Sequence, residues 1–128
     1  MNNFIRETIL RTIESKNISI EPPYEKTGGN LELTARLAVF DNDKFWGITS
    51  MTIDLFKMLE DLNISDLNKN FNFALTDDEG TLFYGRFDKL DSDPLIMNIK
   101  LPESFWKLYA TPQGGWNSIV NKGALINL

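Results

Sequence analysis

Apolar residues recur along this chain with two different periods, and the switches between them mark out the elements. From Asn3 to Ser15 the period is helical. Ile5, Ile9 and Ile13 repeat every four positions with Leu10 beside them, and Arg6, Glu7, Arg11 and Glu14 fall outside the stripe. A short extended piece, Ile18 to Glu21, stops at Pro22-Pro23, which cannot donate ladder hydrogen bonds. Lys26 to Asn30 holds Gly28-Gly29 and predicts a turn. From Leu31 the period becomes two: Leu31, Leu33, Ala35 and Leu37 share one face, with Glu32, Thr34 and Arg36 on the other. Asp41 to Lys44 is a polar hairpin loop, and Phe45 to Ile53 is the returning strand, rich in aromatic and β-branched residues. Asp54 can cap a helix whose buried stripe is Leu55, Met58, Leu59 and Leu62. The asparagine-rich stretch Asn63 to Asn70 predicts a loop.

The second half predicts a meander. Phe71 to Leu75 and Thr81 to Arg86 flank Asp77-Asp78-Glu79-Gly80, a hairpin signal. After the acidic bend Asp88 to Pro94, Leu95 to Leu101 alternates with Leu95, Met97, Ile99 and Leu101 on one face. Phe105 to Ala110 is the last strand. The chain carries no internal repeat or linker, so its 128 residues are expected to form one domain, 1–128. The expected class is α+β: a five-stranded antiparallel sheet with helices packed on one face, which is the PAS-like arrangement.

Composition narrows the function by subtraction. A net charge of −5 offers no footprint for nucleic acid. With no cysteine there are no disulfides and no thiolate metal sites, and with no histidine the commonest general base and the usual zinc and iron ligands are missing. An enzyme would have to work with carboxylates, Lys, Tyr or Ser alone, so the expectation is that the protein is not one. The same absences argue against haem ligation and flavin–thiol photochemistry, and no cofactor is expected. The chain shows neither a signal peptide nor an apolar run of membrane-spanning length, and reads as soluble, though cutting from a larger membrane protein would leave the same sequence.

The acidic groups Asp41-Asn42-Asp43, Asp77-Asp78-Glu79 and Asp88 to Asp93 lack calcium-loop spacing and read as turns. Gly114-Gly115 and Gly28-Gly29 lack the framing of a phosphate loop. Arg36 stands out. Either it pairs with Glu32 in solvent, or its strand faces the helix layer and it becomes a buried cation awaiting a carboxylate from the protein or from a ligand. Among the aromatics, which form 12% of the chain, Tyr24, Trp46, Tyr84 and Tyr109 carry a polar atom that can orient a small molecule.

Several of these pieces, in order, resemble CHASE-type sensor domains. The run Pro23-Tyr24-Glu25, Gly28-Gly29 and Arg36 to Phe40 resembles the family's GPxEL, GG and RxPVF sequence. Phe45-Trp46-Gly47 with Ser50 to Leu55 is similar to its FWG, S and IDL. Asp93-Pro94, Leu101-Pro102, Trp106-Lys107-Leu108 and Pro112 to Trp116 resemble its DP, LP, WxL and PxGGW ending. The likeness runs from about Glu7 to Trp116. Pro22 stands where the family usually has Gly, and Ala38 where it usually has Pro. CHASE domains generally stack two PAS-like halves behind a long helix, and this chain looks like one half with the end of that helix, residues 1–17.

The resemblance implies an extracytoplasmic receptor module held by flanking transmembrane helices, ahead of a histidine kinase or diguanylate cyclase. It implies a small-molecule ligand between sheet and helices, anionic if Arg36 is its contact. Tyr24, Trp46 and Phe73 would be walls, and Ser50 and Tyr84 weaker contacts. The alternative is a structural or partner-binding module with a full core, relaying a signal through a neighbour or through a homodimer formed by the N-terminal helix.

Overall fold

The computed structural model describes residues 3–119, apart from the Phe4 side chain, so the end of the expected 1–128 span lies outside the described residues. The chain divides into two compact units. Among the described residues, one comprises 3–58 with 101–104, the other 59–100 with 105–119.

The first unit is built on β3 (Leu31–Asp41) and β4 (Lys44–Asp54), an antiparallel hairpin registered from Glu32↔Asp54 to Asp41↔Lys44. Its turn is two residues, Asn42 and Asp43, both with positive φ (48° and 64°). Asn and Asp are the non-glycine residues that enter this region most readily, and such a turn matches the twist of the strands. The other edge of β3 is taken by two short strands. β1 (Ser19–Ile20) lies opposite Arg36 and Ala35, and β2 (Tyr24–Glu25) lies opposite Glu32 and Leu31. Pro22-Pro23 interrupts the pairing between them.

The N-terminal helix α1 (Asn3–Ser15) has the expected bounds, but its buried seam is not the isoleucine stripe. Thr8 and Thr12 are buried, Ile5, Ile9 and Ile13 are half-buried, and Leu10 is exposed. The helix packs on β3 and β1. The Thr12 hydroxyl bonds back to the Thr8 carbonyl at 2.8 Å and meets the Ser19 hydroxyl on β1. This is a polar seam, and it determines which face of the sheet the helix covers.

The chain passes between the units within α2 (Leu55–Asp61). Asp54 caps it as expected, its Oδ1 accepting a hydrogen bond from the Lys57 amide at 3.1 Å. Leu55 is fully buried and Leu59 nearly so. The expected loop Asn63 to Asn70 instead contains a short helix, α3 (Ile64–Leu67), entered through a left-handed Asn63 (φ 55°). The asparagines that suggested a loop supply the break that precedes it.

The second unit, 101–104 apart, is built on a four-stranded antiparallel sheet in the order β6–β5–β8–β7, comprising β5 (Phe71–Thr76), β6 (Leu82–Gly85), β7 (Leu95–Leu101) and β8 (Ser104–Pro112). Ala74 and Leu75 on β5 and Trp106 on β8 form its buried centre. Trp106 meets Phe83 edge-on, with ring centroids 4.9 Å apart. A 3-10 turn at Phe87–Lys89 packs on β5 and brings Phe87 against Tyr109. On β7 the alternating Leu95 and Met97 are exposed rather than buried.

The expectation of one five-stranded sheet is therefore corrected to two sheets of four. The cause lies in the N-terminal segment. One edge of β3 is occupied by β1 and β2 and the other by β4, so among the described residues no strand of the second half pairs with the β3 of the first hairpin. Among the described residues no helix is long and apolar enough to cross a membrane.

Candidate functional site

The six residues expected to line a site fall into separate places. Arg36 and Ser50 are partners across the β3–β4 ladder, and Ser19 on β1 is the partner of Arg36 on its other side. Directly opposed residues share a face, so Ser19, Arg36 and Ser50 form one row. The Thr12–Ser19 contact shows that α1 lies over this face. Arg36 is thus the buried cation of the two alternatives, with 15% of its side chain exposed.

Its carboxylate comes from the protein. Glu21, 5% exposed, pairs with the Arg36 guanidinium, and the Glu21 amide donates to the Thr34 carbonyl at 2.9 Å. Glu32 pairs instead with Lys26, at 3.0 Å in solvent, where the carboxylate raises the lysine pKa chiefly through their hydrogen bond. A buried charge needs a partner, and here the partner is local, two residues beyond Ser19. Alternation could place Arg36 on the polar face, but only strand register reveals Glu21. Tyr24 on β2 is exposed, and Trp46 on β4 is 76% exposed, so neither forms a wall around Arg36.

Phe73 and Tyr84 belong to the second unit, and there they do meet. They line a cleft of about 210 Å³ with Asn68, Asn72, Lys89 and Gln113, and Phe71, Gly85 and Arg86 complete its rim. The cleft sits where β5 begins and β6 and β8 end, since Phe71 opposes Pro112 and Ala74 opposes Gly85.

A chain of hydrogen bonds holds its polar groups. Gln113 Nε2 donates to the Asn68 carbonyl at 3.0 Å and to Asn72 Oδ1 at 2.9 Å, and the Gln113 amide donates to the Asn70 carbonyl at 2.8 Å. Asn68 Nδ2 donates to the Tyr84 hydroxyl oxygen at 3.2 Å. These bonds leave the Tyr84 O–H proton and the Asn72 amide protons as donors to whatever enters. The Phe71 and Phe73 rings, 6.0 Å apart, give an apolar side.

Two cations border the cleft, in different states. Arg86 is engaged by Asp88, with Nε donating to Oδ1 at 2.9 Å and Nη2 to Oδ2. That hydrogen-bonded guanidinium holds the Asp88 carboxyl below its ordinary range, and the guanidinium in turn is raised. Lys89 follows on the same turn with an exposed side chain. The arrangement can bind and orient a small anion or amide.

Gly85 is what allows β6 to end here. Its φ is +77°, and a Cβ at this position would lie 2.0 Å from the Phe73 carbonyl oxygen. Only glycine permits both. Asp91 has a comparable architectural duty. Its Oδ2 accepts from the Trp116 amide at 3.1 Å, its own amide donates to Thr111 Oγ1 at 3.2 Å, and Trp116 Nε1 donates to the Asp93 carbonyl at 3.2 Å. The acidic bend thus ties down the Pro112 to Trp116 turn. Asp77 likewise serves its hairpin, its Oδ1 accepting from the amides of Glu79 and Thr81. Asn68, Asn72, Lys89 and Gln113 were not among the expected site residues. Asn68 lay in the asparagine-rich approach to an aromatic strand, Asn72 on that strand, Lys89 in the acidic bend and Gln113 in the Pro112 to Trp116 motif.

No protein-family model matches the chain, and no curated protein does either. Among solved structures, the chain is similar to the ligand binding domain of the Pseudomonas aeruginosa PAO1 amino acid chemoreceptor PctC in complex with GABA. The TM-score is 0.58 at 13% identity, covering 79% of this chain and 58% of that one. The ligand binding domain of Mlp24 with asparagine is also 13% identical, with a TM-score of 0.49 over 79% of this chain and 52% of that one. The chain spans just over half the length of these domains. The likeness to the first of these is one of fold.

Proposed function

We propose that this chain is the ligand-sensing part of an extracytoplasmic receptor and performs no chemistry itself. The fold shared with a chemoreceptor ligand-binding domain carries this reading, and the cleft of the second unit supports it. The finer form follows the sequence motifs: a CHASE-type domain of a membrane receptor with a histidine kinase or diguanylate cyclase output. In this reading the ligand is a small molecule with a carboxylate. Lys89 faces its charge, the Tyr84 hydroxyl and Asn72 amide donate to its oxygens, and Phe73 packs along its stem. Arg36 drops out of the contact set because Glu21 already engages it.

A thermal-shift series with small monocarboxylic acids tests the proposal, since a compound that binds only the folded state raises its melting temperature. Stabilisation by at least one acid is expected. Tyr84→Phe and Lys89→Ala should each weaken binding of that acid about three- to tenfold, the range of one hydrogen bond. No stabilisation by any acid, or binding indifferent to both substitutions, rejects the cleft as the sensing site. A second reading, a module that relays a signal through a protein partner, is favoured by the uncovered apolar strand β4.

A further inference from the structure

Strand β4 has eleven residues and pairs only with β3 among the described residues. None of its residues is buried: Gly47, Ile48 and Ile53 are half-covered and the other eight are exposed. Phe45, Trp46 and Met51 are among the exposed large apolar side chains. A long edge strand with unpaired N–H and C=O groups recruits another strand unless charge, proline, a bulge or a cover protects it. From Phe45 to Ile53 there is no charged residue and no proline. One protective device is present, at one end. The register steps from Val39↔Gly47 to Phe40↔Phe45, so Trp46 is an extra residue bulged out of the ladder. The regular edge left open is Gly47 to Ile53.

That segment is complementary to itself. Antiparallel pairing of two copies about a two-fold axis requires a residue to face its own counterpart, because opposed side chains must share a face of the sheet. Centring the axis on Ser50 uses the whole regular edge. Ser50 then opposes Ser50, Thr49 opposes Met51, Ile48 opposes Thr52 and Gly47 opposes Ile53. Every pair is uncharged. The β-branched Ile53 falls over a glycine, where a Cβ would meet nothing within 4 Å, so the ends of the seam do not clash. Shifting the axis by one residue towards the hairpin would push Thr52 against the Trp46 bulge and lose this fit.

We infer that the free edge of β4 is a self-association surface, through which two copies join their first-unit sheets into one eight-stranded antiparallel sheet. The hydroxyls of the two Ser50 residues lie at its axis.

The chain contains no cysteine, so single cysteines report this geometry cleanly. In the full 128-residue chain, Ser50→Cys should oxidise to a disulfide-linked dimer, because self-opposed strand residues have Cα separations within disulfide range. Thr52→Cys should not, since its two copies would be four positions apart, about 14 Å. Met51→Lys, at an exposed position, places two ammonium groups on one face about 7 Å apart and should return the chain to monomer in sedimentation. A chain that stays monomeric at all concentrations and fails to cross-link at position 50 overturns the proposal. So does a dimer that cross-links through Leu10→Cys on α1 and ignores Met51→Lys.

Discussion

The two units are both built on a four-stranded antiparallel sheet and both bury polar side chains, yet only one closes an ion pair inside and only the other gathers polar groups around a cleft. In the first, one set of polar residues is sealed inside. Thr8 and Thr12 on the helix, Ser19 and Glu21 beside β1, and Thr34 and Arg36 on β3 lie between helix and sheet, with the cation answered by Glu21. In the second, Thr76, Asp77 and Thr111 are buried beside Ala74, Leu75 and Trp106, and a further set of polar side chains gathers at the end of the sheet around an open cleft. The first arrangement spends its charge on itself, and the second leaves donors for a visitor. A charged residue on a strand is thus a poor guide to a ligand until its nearest internal partner is known. The carboxylate that matters can come from a neighbouring strand that alternation does not reveal.

The most disruptive test of this contrast is Gly85→Ala. Its methyl would sit 2.0 Å from the Phe73 carbonyl oxygen at a φ few side chains tolerate. It should cost about 4 kcal/mol in denaturant unfolding and remove the cleft by displacing the end of β6. A loss under about 1 kcal/mol would mean that this end of the sheet yields easily, and that the cleft is not held in place by the backbone.

Next in size is the sealed pair. Arg36→Met leaves a buried Glu21 carboxylate without its counter-ion and should cost about 3 kcal/mol. Glu21→Gln combined with Arg36→Met should recover most of that, because the unpaired charge is gone. Carboxylate binding at the second-unit cleft should be the same in all three proteins. A loss of affinity confined to the Arg36 variant would return that residue to the binding site and erase the contrast.

The smallest effect concerns Asp88. Its carboxyl is held below the ordinary range, first by the hydrogen bond from Arg86, against a weaker opposing effect of burial. A folded-state pKa below the unfolded one contributes stability that is present above the ordinary carboxylate range and lost as pH falls through the lowered value. Both partners lie in solvent, so the contribution is small and screened by salt. Asp88→Asn should slightly flatten the acid limb of the melting-temperature profile at low ionic strength and leave it unchanged at high salt. It should also free Arg86 towards the cleft and tighten carboxylate binding modestly. Weaker binding would show that Asp88 holds Arg86 in a useful pose.

Much of the local structure was legible from residue pattern alone. The bounds of α1, the β3–β4 hairpin with its polar turn inside Asp41 to Lys44, the Asp54 cap and the Asp77 hairpin all follow from short-range chemistry. The helix stripe misled because it was scored by hydrophobicity, whereas the helix packs on a polar row and presents threonines to it. The alternation of β7 misled for the opposite reason, since an edge strand can carry leucine and methionine without covering them. Of the expected contacts, Phe73 and Tyr84 came together because they sit on adjacent strands, and Arg36 and Ser50 because they are ladder partners.

Periods of two and four, turn residues, and the absence of histidine and cysteine are local or countable, and from them came the α+β class, the order of elements and the expectation of no catalysis. The expectation of sensing came only with the motif resemblance. Strand pairing is not local. Whether β1 and β2 take an edge of β3, which carboxylate reaches Arg36, and which loops converge on Tyr84 depend on residues 15 to 45 positions apart finding one register. Those contacts are selected by the shared burial of whole faces, so they became visible only when the sheets were assembled.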